Sequence, residues 1–285
     1  MEANPGAIER GAFAGYRDAG INRVSLGAQS FSPDALRRLG RIHLAQDTER
    51  AVADLQSAGI RNFNLDLMYA LPEQTLEQAL QDVRTAVSLG PTHLSHYQLT
   101  LEPGTVFHSR PPPLPDDDQA WTMQTESQAL LAAHGYEQYE VSAYAQAGAR
   151  CRHNLNYWEF GDYVGIGAGA HGKITLGPQR ILRTEKPKQP RDYQAQVAVA
   201  QQAFGERRIV AAAELPFEFM LNALRLNEGF RIEDYEGRTG LKMEDLKSPL
   251  QQAQSRDLLQ RSADGWQATG LGRRFLNDLQ AGFLL

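Results

Sequence analysis

Cysteine is nearly missing from this 285-residue sequence, where Cys151 stands alone. No intramolecular disulfide can form, which fits a reducing compartment. One thiolate also falls short of the several that an iron–sulfur cluster normally takes from its protein. A basic surplus is lacking as well. The net charge is −5 and the pI is ≈ 5.8, so the electrostatic footprint of a nucleic-acid binder is not there. No apolar run approaches the ~18 residues of a membrane span, and the start MEANPGAIERGAF holds no signal-peptide core. The reading is a soluble, cytoplasmic chain. The apolar residues, 42% of the total, supply ample core, and the length suits one large domain with or without a small one.

Three segments share one pattern: AGINRVSLGAQSF (19–31), AGIRNFNLDLMYALP (58–72) and LGPTHLSHYQLTLEP (89–103). In each a glycine (Gly20, Gly59, Gly90) precedes a short β-branched or aromatic run that ends in polar residues. Glycine accepts the left-handed geometry of a helix C-terminus, so each one marks a helix stop. Helical patterns lie between them. Thr75 and Gln78 are spaced as a capping box, and Leu76, Ala79, Leu80, Val83 and Val87 follow on one face. Ser32-Pro33 opens another helix, and 48–58 repeats the pattern with Val52 and Leu55. Strands alternating with helices predict βαβ units and a parallel sheet; an antiparallel α+β domain is the alternative. Ligands of such sheets bind at the carboxyl ends of the strands, which are read here as Gln29, Asp66, Met68, Gln98 and Thr100. Polar groups there either satisfy loop amides or face a ligand.

GAQSF, LGRIH, NLDLMYALPEQT, HYQLTLEPGT and HNLNYW occur in an order and spacing that resembles the HemW-type haem chaperones. These are relatives of oxygen-independent coproporphyrinogen III dehydrogenase within the radical S-adenosylmethionine superfamily. The resemblance runs from residue 2 to the C-terminus. It implies an α/β fold, a partial parallel (β/α) radical-SAM-type barrel with a small C-terminal helical, winged-helix-like domain. It also implies that Glu2, Gln29, Arg41, Asp66, Met68 and, more loosely, Thr100 face S-adenosylmethionine. The chemistry suits that ligand: carboxylates accept from ribose hydroxyls and arginine pairs with a carboxylate. One departure stands out. The family's C-x-x-x-C-x-x-C motif for a [4Fe-4S] cluster has no counterpart here, and MEANPG replaces the family's LEANPG. The chain is therefore expected to begin inside the third strand, through a misplaced start codon or a truncation, and to lack radical chemistry of its own.

His153-Asn154-Leu155-Asn156-Tyr157-Trp158 matches the motif HNxxYW that sets the haem chaperones apart. The resemblance implies haem bound by His153 as the iron ligand, with Tyr157 and Trp158 as aromatic walls. Arg150, Arg152 or Arg183 would meet the propionates. A histidine beside aromatics can equally be a satisfied structural residue. Cys151 is a thiolate ligand, an attachment point or, as favoured here, a small buried side chain. GIGAGAHG (165–172) satisfies G-x-G-x-x-A, with Glu185 twenty positions after Gly165. A dinucleotide site needs a helix directly after the glycines, whereas KITLGPQRILRTEK continues as strand, turn and strand. His171 is either a second haem-side residue or a turn residue.

PPPLPDDD (111–118) reads as an extended linker whose aspartates cap a helix over 117–134, in preference to binding a metal. After about 205 the alternation stops. Helical stretches at 214–226, 231–239 and 243–259, then a turn at Asp264-Gly265, suggest a winged-helix-like module. Its 11 basic and 12 acidic residues carry no charge surplus for DNA. The domains expected are 1–205, a partial radical-SAM-like barrel with the haem-motif region, and 206–285. The function expected is haem binding and delivery to acceptor proteins, a membrane-associated acceptor included. The alternatives are a coproporphyrinogen III oxidase-like enzyme, which would need the N-terminal cysteines, and a non-functional fragment whose strand at 23–28 has an unpaired edge.

Overall fold

The computed structural model describes residues 1–7, 12–200 and 205–284, and every candidate site residue lies among them. They form two compact units, Met1–Arg150 and Cys151–Leu285.

In the first unit six strands form one sheet in the order β1-β2-β3-β4-β6-β5. They are β1 (Glu2–Ala3), β2 (Val24–Gln29), β3 (Phe63–Tyr69), β4 (His93–Gln98), β5 (Glu137–Glu140) and β6 (Ala143–Ala145). β1 to β4 are parallel, as the helix-length connections require. β6 and β5 then run antiparallel, so the sheet is mixed where an all-parallel one was expected. The connection from β5 to β6 is too short for a crossover helix, which leaves only a hairpin.

Local chemistry sets the connecting helices. In the helix Leu76–Ser88, Thr75 Oγ1 accepts from the Gln78 amide at 3.3 Å and Gln78 Oε1 accepts from the Thr75 amide at 2.9 Å. Ser32 caps the helix Pro33–Arg38, with Pro33 in its first turn. Gly20, Gly59 and Gly90 follow helices at φ +97, +81 and +70°. One sheet face is apolar: Val24, Leu26, Phe63, Leu65, Leu67 and Leu94 bury against Val52, Leu55, Val83 and Leu131 of the helices. Each such side chain stabilises the fold by about 1.5–3 kcal/mol. The alternate residues Ser25, Asn64, Asp66, His93, Ser95 and Tyr97 therefore share the opposite, polar face. The edge of β2 expected to be bare carries β1, with Glu2 opposite Ser25 and Ala3 opposite Leu26.

The second unit opens with the helix Arg152–Trp158 and an antiparallel sheet of β7 (His171–Gly177), β8 (Arg180–Glu185) and β9 (Glu206–Ile209). A second sheet has the order β10-β12-β11, from Phe230–Arg231, Gly265–Ala268 and Leu259–Arg261. The helices Leu215–Ala223, Ile232–Thr239 and Lys247–Ser255 precede the β11–β12 hairpin, which is the winged-helix order read from the sequence. The compact units divide at Arg150/Cys151, whereas the sequence places a domain boundary at 205/206. The physical reason is one core: Phe160, Ile181 and Val210 bury with Phe219, Tyr235 and Trp266. The β7–β8 turn is also tied down, since the Gln179 amide donates to Thr239 O at 2.9 Å. Among the described residues no helix is long and apolar enough to cross a membrane.

Candidate functional site

In the first unit the polar sheet face converges on Tyr97. Its hydroxyl donates to Gln29 Oε1 at 3.0 Å. Burial first, then the Asp66 carboxylate, pushes this phenol up to about 12, with Arg41 opposing and Glu2 adding. Gln29 thus contacts this phenol, and the charges of Glu2, Arg41 and Asp66, from separate segments, act on it. Gln29 sits past a bulge in β2 at φ +65°, a left-handed conformation that re-aims its amide. Gly27 leaves room for that amide, since a Cβ there would lie 2.7 Å from Gln29 Nε2 and push the side chain aside. Asp66 lies in the middle of β3, not at its end as expected, because the strand continues to Tyr69. Burial raises its pKa, with Glu2 adding, against hydrogen bonds from Ser25, Ser95 and Asn64. Met68 is the register neighbour of Tyr97 and packs on Ala35, Leu71 and Leu99. Thr100 is exposed beyond β4, its Oγ1 3.5 Å from Gln98 O.

Behind Asp66 lies a buried relay. The Asn64 side chain donates to Ser25 Oγ at 2.7 Å and Asp66 Oδ1 at 2.8 Å. Its Oδ1 can only accept, so His93 Nδ1, 2.6 Å away, carries the proton. His93 Nε2 then accepts from Tyr139 OH at 2.8 Å. Burial, with Arg23 adding, drives the His93 pKa down to about 3 and keeps the ring neutral. Asp82 fastens the loop after β2: it accepts from Ser30 Oγ at 2.6 Å and the Phe31 amide at 2.7 Å. Tyr97→Phe removes the donor that holds Gln29. We expect a loss of about 1 kcal/mol and faster amide exchange over 27–31; unchanged exchange there would refute the assignment.

In the second unit the HNLNYW segment is the helix Arg152–Trp158. His153 and Tyr157, four apart on one face, meet edge-on with centroids 4.9 Å apart. Tyr157 contacts Tyr163 at 4.4 Å. Tyr163 accepts from Arg183 Nη1 at 2.9 Å. The result is a ladder from an exposed imidazole, across two phenol rings, to a guanidinium. Trp158 lies outside it, since the Arg225 guanidinium covers its ring at 4.3 Å. Of the three candidate arginines, Arg183 joins the ladder; Arg152 is exposed, and Arg150 belongs to the first unit, over Tyr139 and 3.4 Å from Glu137. Cys151 is a buried thiol at the N-cap position. His171 and Tyr163 line a cavity of ≈ 280 Å³ with Arg183, Glu185, Glu206 and Arg208. No helix follows GIGAGAHG, because β7 begins at His171, so the dinucleotide reading fails there. Asp116 caps the helix Asp117–Ala133, as the aspartate run suggested. Among the described residues no group of three His, Cys, Asp or Glu side chains is placed to hold a metal ion.

Comparison with known proteins decides the family. Over 284 residues the chain is 50% identical to the Heme chaperone HemW of Escherichia coli, with all of this chain covering 74% of that protein. It belongs to the HemW family. The HemW of Bacillus subtilis is 33% identical over 291 residues, again across the whole chain and 75% of the relative. Within this HemW-family chain, residues 1–86 match the radical SAM superfamily and 210–275 the HemN C-terminal domain. The solved coproporphyrinogen III oxidase (HemN) from Escherichia coli superposes with a TM-score of 0.80 at 21% identity, over 99% of this chain and 68% of that one. The fold is therefore the radical SAM α/β fold with a HemN-type C-terminal domain. Sequence reasoning missed Tyr97, Tyr139, Tyr163, Arg208 and Glu218, whose roles depend on partners distant along the chain. The polar residues at alternate positions of β4, His93, Ser95 and Tyr97, were the one signal available.

Proposed function

We propose that this protein binds haem through His153 and hands it to acceptor proteins in the cytoplasm. One observation supports this reading above the others. The family's histidine is solvent-exposed on a short helix, with its edge set against Tyr157 and the Tyr163–Arg183 pair beyond. A neutral imidazole nitrogen ligates haem iron. Contact with Tyr157 restricts the ring, while exposure leaves the iron reachable by a competing ligand from an acceptor. A cargo held by one accessible nitrogen leaves easily, as delivery demands. The relatives named Heme chaperone HemW agree with this role.

Membership in the radical SAM superfamily brings S-adenosylmethionine and a [4Fe-4S] cluster into consideration. The residues of the first unit fit the former. Asp66 and Glu2 supply acceptors for hydroxyl groups, Arg41 a partner for a carboxylate, and Gln29 an amide fixed by Tyr97. Cluster ligation needs several thiolates, and Cys151 by itself does not fit that donor set. Haem handling is the activity proposed for these 285 residues.

Hemin titration of the purified protein, with and without His153→Ala, tests the proposal. The wild type is expected to give a shifted Soret band, and the variant to lose it with at least about tenfold weaker binding, the equivalent of ~1.4 kcal/mol. Identical spectra and affinities would end the proposal.

A further inference from the structure

Arg183 and Arg208 stand in a closed charge cluster at the far end of the aromatic ladder. Glu218 Oε2 accepts from Arg183 Nε at 3.0 Å and Nη2 at 2.5 Å. Its Oε1 accepts from Arg208 Nη2 at 3.2 Å, and Arg208 Nη1 reaches Glu214 at 2.7 Å. Two guanidiniums are thus matched by two carboxylates. Two cavities share Arg183 and Arg208 in their walls. The first also touches Tyr163, the last ring of the ladder. The second, ≈ 400 Å³, adds the apolar side chains Phe217, Leu221 and Leu284. Leu221 is 45% and Leu284 64% exposed, so an apolar wall open to solvent lies beside paired cations. Such a surface suits an amphipathic ligand with a flat apolar body and carboxylate arms.

We propose that Arg183 and Arg208 receive the carboxylate side chains of the porphyrin, and that Glu218 is a built-in stand-in for them. This rests on the haem reading of His153. Arginine's fork can match a carboxylate bidentately, whereas Glu218 offers Arg183 one oxygen, Oε2, and turns the other to Arg208. The mostly buried Arg183 would be costly without a counter-charge, and Glu218 supplies one. When porphyrin arrives, one carboxylate is exchanged for another. The exchange is modestly favourable, because a porphyrin with two carboxylates can engage both arginines where the single Glu218 is shared between them, so the arginines select a carboxylated porphyrin without retaining it strongly. A carrier gains from that balance, because Glu218 returns to its arginines as the cargo leaves.

Hemin and hemin dimethyl ester, which lacks the free carboxylates, separate the possibilities. The wild type is expected to bind hemin about tenfold more tightly than the ester, as loss of a charge-assisted contact predicts. Arg208→Gln, at a side chain already 44% exposed, is expected to shrink that preference while keeping the His153-dependent Soret band. Glu218→Gln is expected to tighten hemin binding several-fold and leave ester binding unchanged. Equal affinity of the wild type for hemin and ester, or weaker hemin binding by a folded Glu218→Gln protein, overturns the proposal. Should Glu218→Gln fail to fold, the wild-type and Arg208→Gln comparisons decide it. A His153-dependent band with no hemin preference refutes this inference alone, whereas no such band for either ligand refutes the haem reading itself.

Discussion

Lys173→Ala is expected to destabilise the Cys151–Leu285 unit by roughly 3 kcal/mol, and Lys173→Met by less than about 1.5 kcal/mol. Lys173 is buried within β7, with its side chain 1% exposed. Its ammonium lies 4.1 Å from the Phe160 ring centroid and donates to Phe160 O at 2.9 Å and Asp162 Oδ1 at 3.0 Å. Burial pulls the lysine pKa down, against the pull of Asp162. Asp162 is burdened by its own burial, yet Thr175 and Lys173 bring its pKa below the usual carboxylate range. Alanine removes three carbons and an ammonium from a packed site and leaves a cavity, the costly outcome. Methionine refills most of that volume and needs no desolvated charge, and an apolar replacement of a buried ion pair is often nearly neutral. Asp162 is 41% exposed and keeps its Thr175 donors, so it is not stranded. Urea unfolding followed by Trp158 and Trp266 fluorescence measures the difference. Equal losses for alanine and methionine would mean that the charge, not the packing, holds the loop. The loop bears on the proposed haem site, because Tyr163 pairs with Lys173 through reciprocal backbone bonds of 2.9 Å. Alanine is therefore also expected to weaken hemin binding, by loosening the second phenol ring.

Much of the architecture was legible because it is local. Thr75 and Gln78 announce a helix start through their own side chains, and Gly20, Gly59 and Gly90 announce three stops through backbone freedom. Val24, Leu26, Phe63 and Leu65 write the buried sheet face as apolar alternation. The strand–turn–strand after GIGAGAHG followed from the lack of any helical period there. The positions that escaped are those defined by a distant partner. Tyr97 matters because Gln29 and Asp66 arrive from other strands, and Glu218 because β8 and β9 bring Arg183 and Arg208 to it. The aromatic motif was readable only as a string. Helix geometry puts Tyr157 beside His153, while Trp158, one residue further on, turns away toward Arg225.

Between about pH 7.5 and pH 5 the Met1–Arg150 unit is expected to lose roughly 2 to 3 kcal/mol of stability. Two buried histidines cause it. His93 has its pKa lowered to about 3 by burial and by Arg23, and His96 to about 4 by burial among Tyr69 and Tyr144. In the unfolded chain both titrate near 6.5. Below that value the unfolded state binds two protons that the folded state refuses, so stability falls with pH. Each histidine costs about 2 kcal/mol over this interval, at ~1.4 kcal/mol per pH unit once fully coupled. Asp82 acts in the opposite sense. Burial raises its pKa to about 6 against the hydrogen bonds from Ser30 and Phe31, so the folded state takes up its proton first. That returns about 1.4 kcal/mol and is complete near the unfolded value of 3.8. The raised Asp66 adds in the same direction as Asp82. Urea titrations at several pH values, followed by hydrogen exchange over β3 and β4, measure the slope. His96→Phe keeps a ring against Tyr69 and removes one titrating site, so the variant is expected to lose only about 0.6 kcal/mol over the same interval, the ~2 of His93 less the ~1.4 returned by Asp82. A wild-type unit whose stability stays flat from pH 7.5 to pH 5 would mean that these imidazoles are hydrated in solution, and the buried relay behind Asp66 would fall with it.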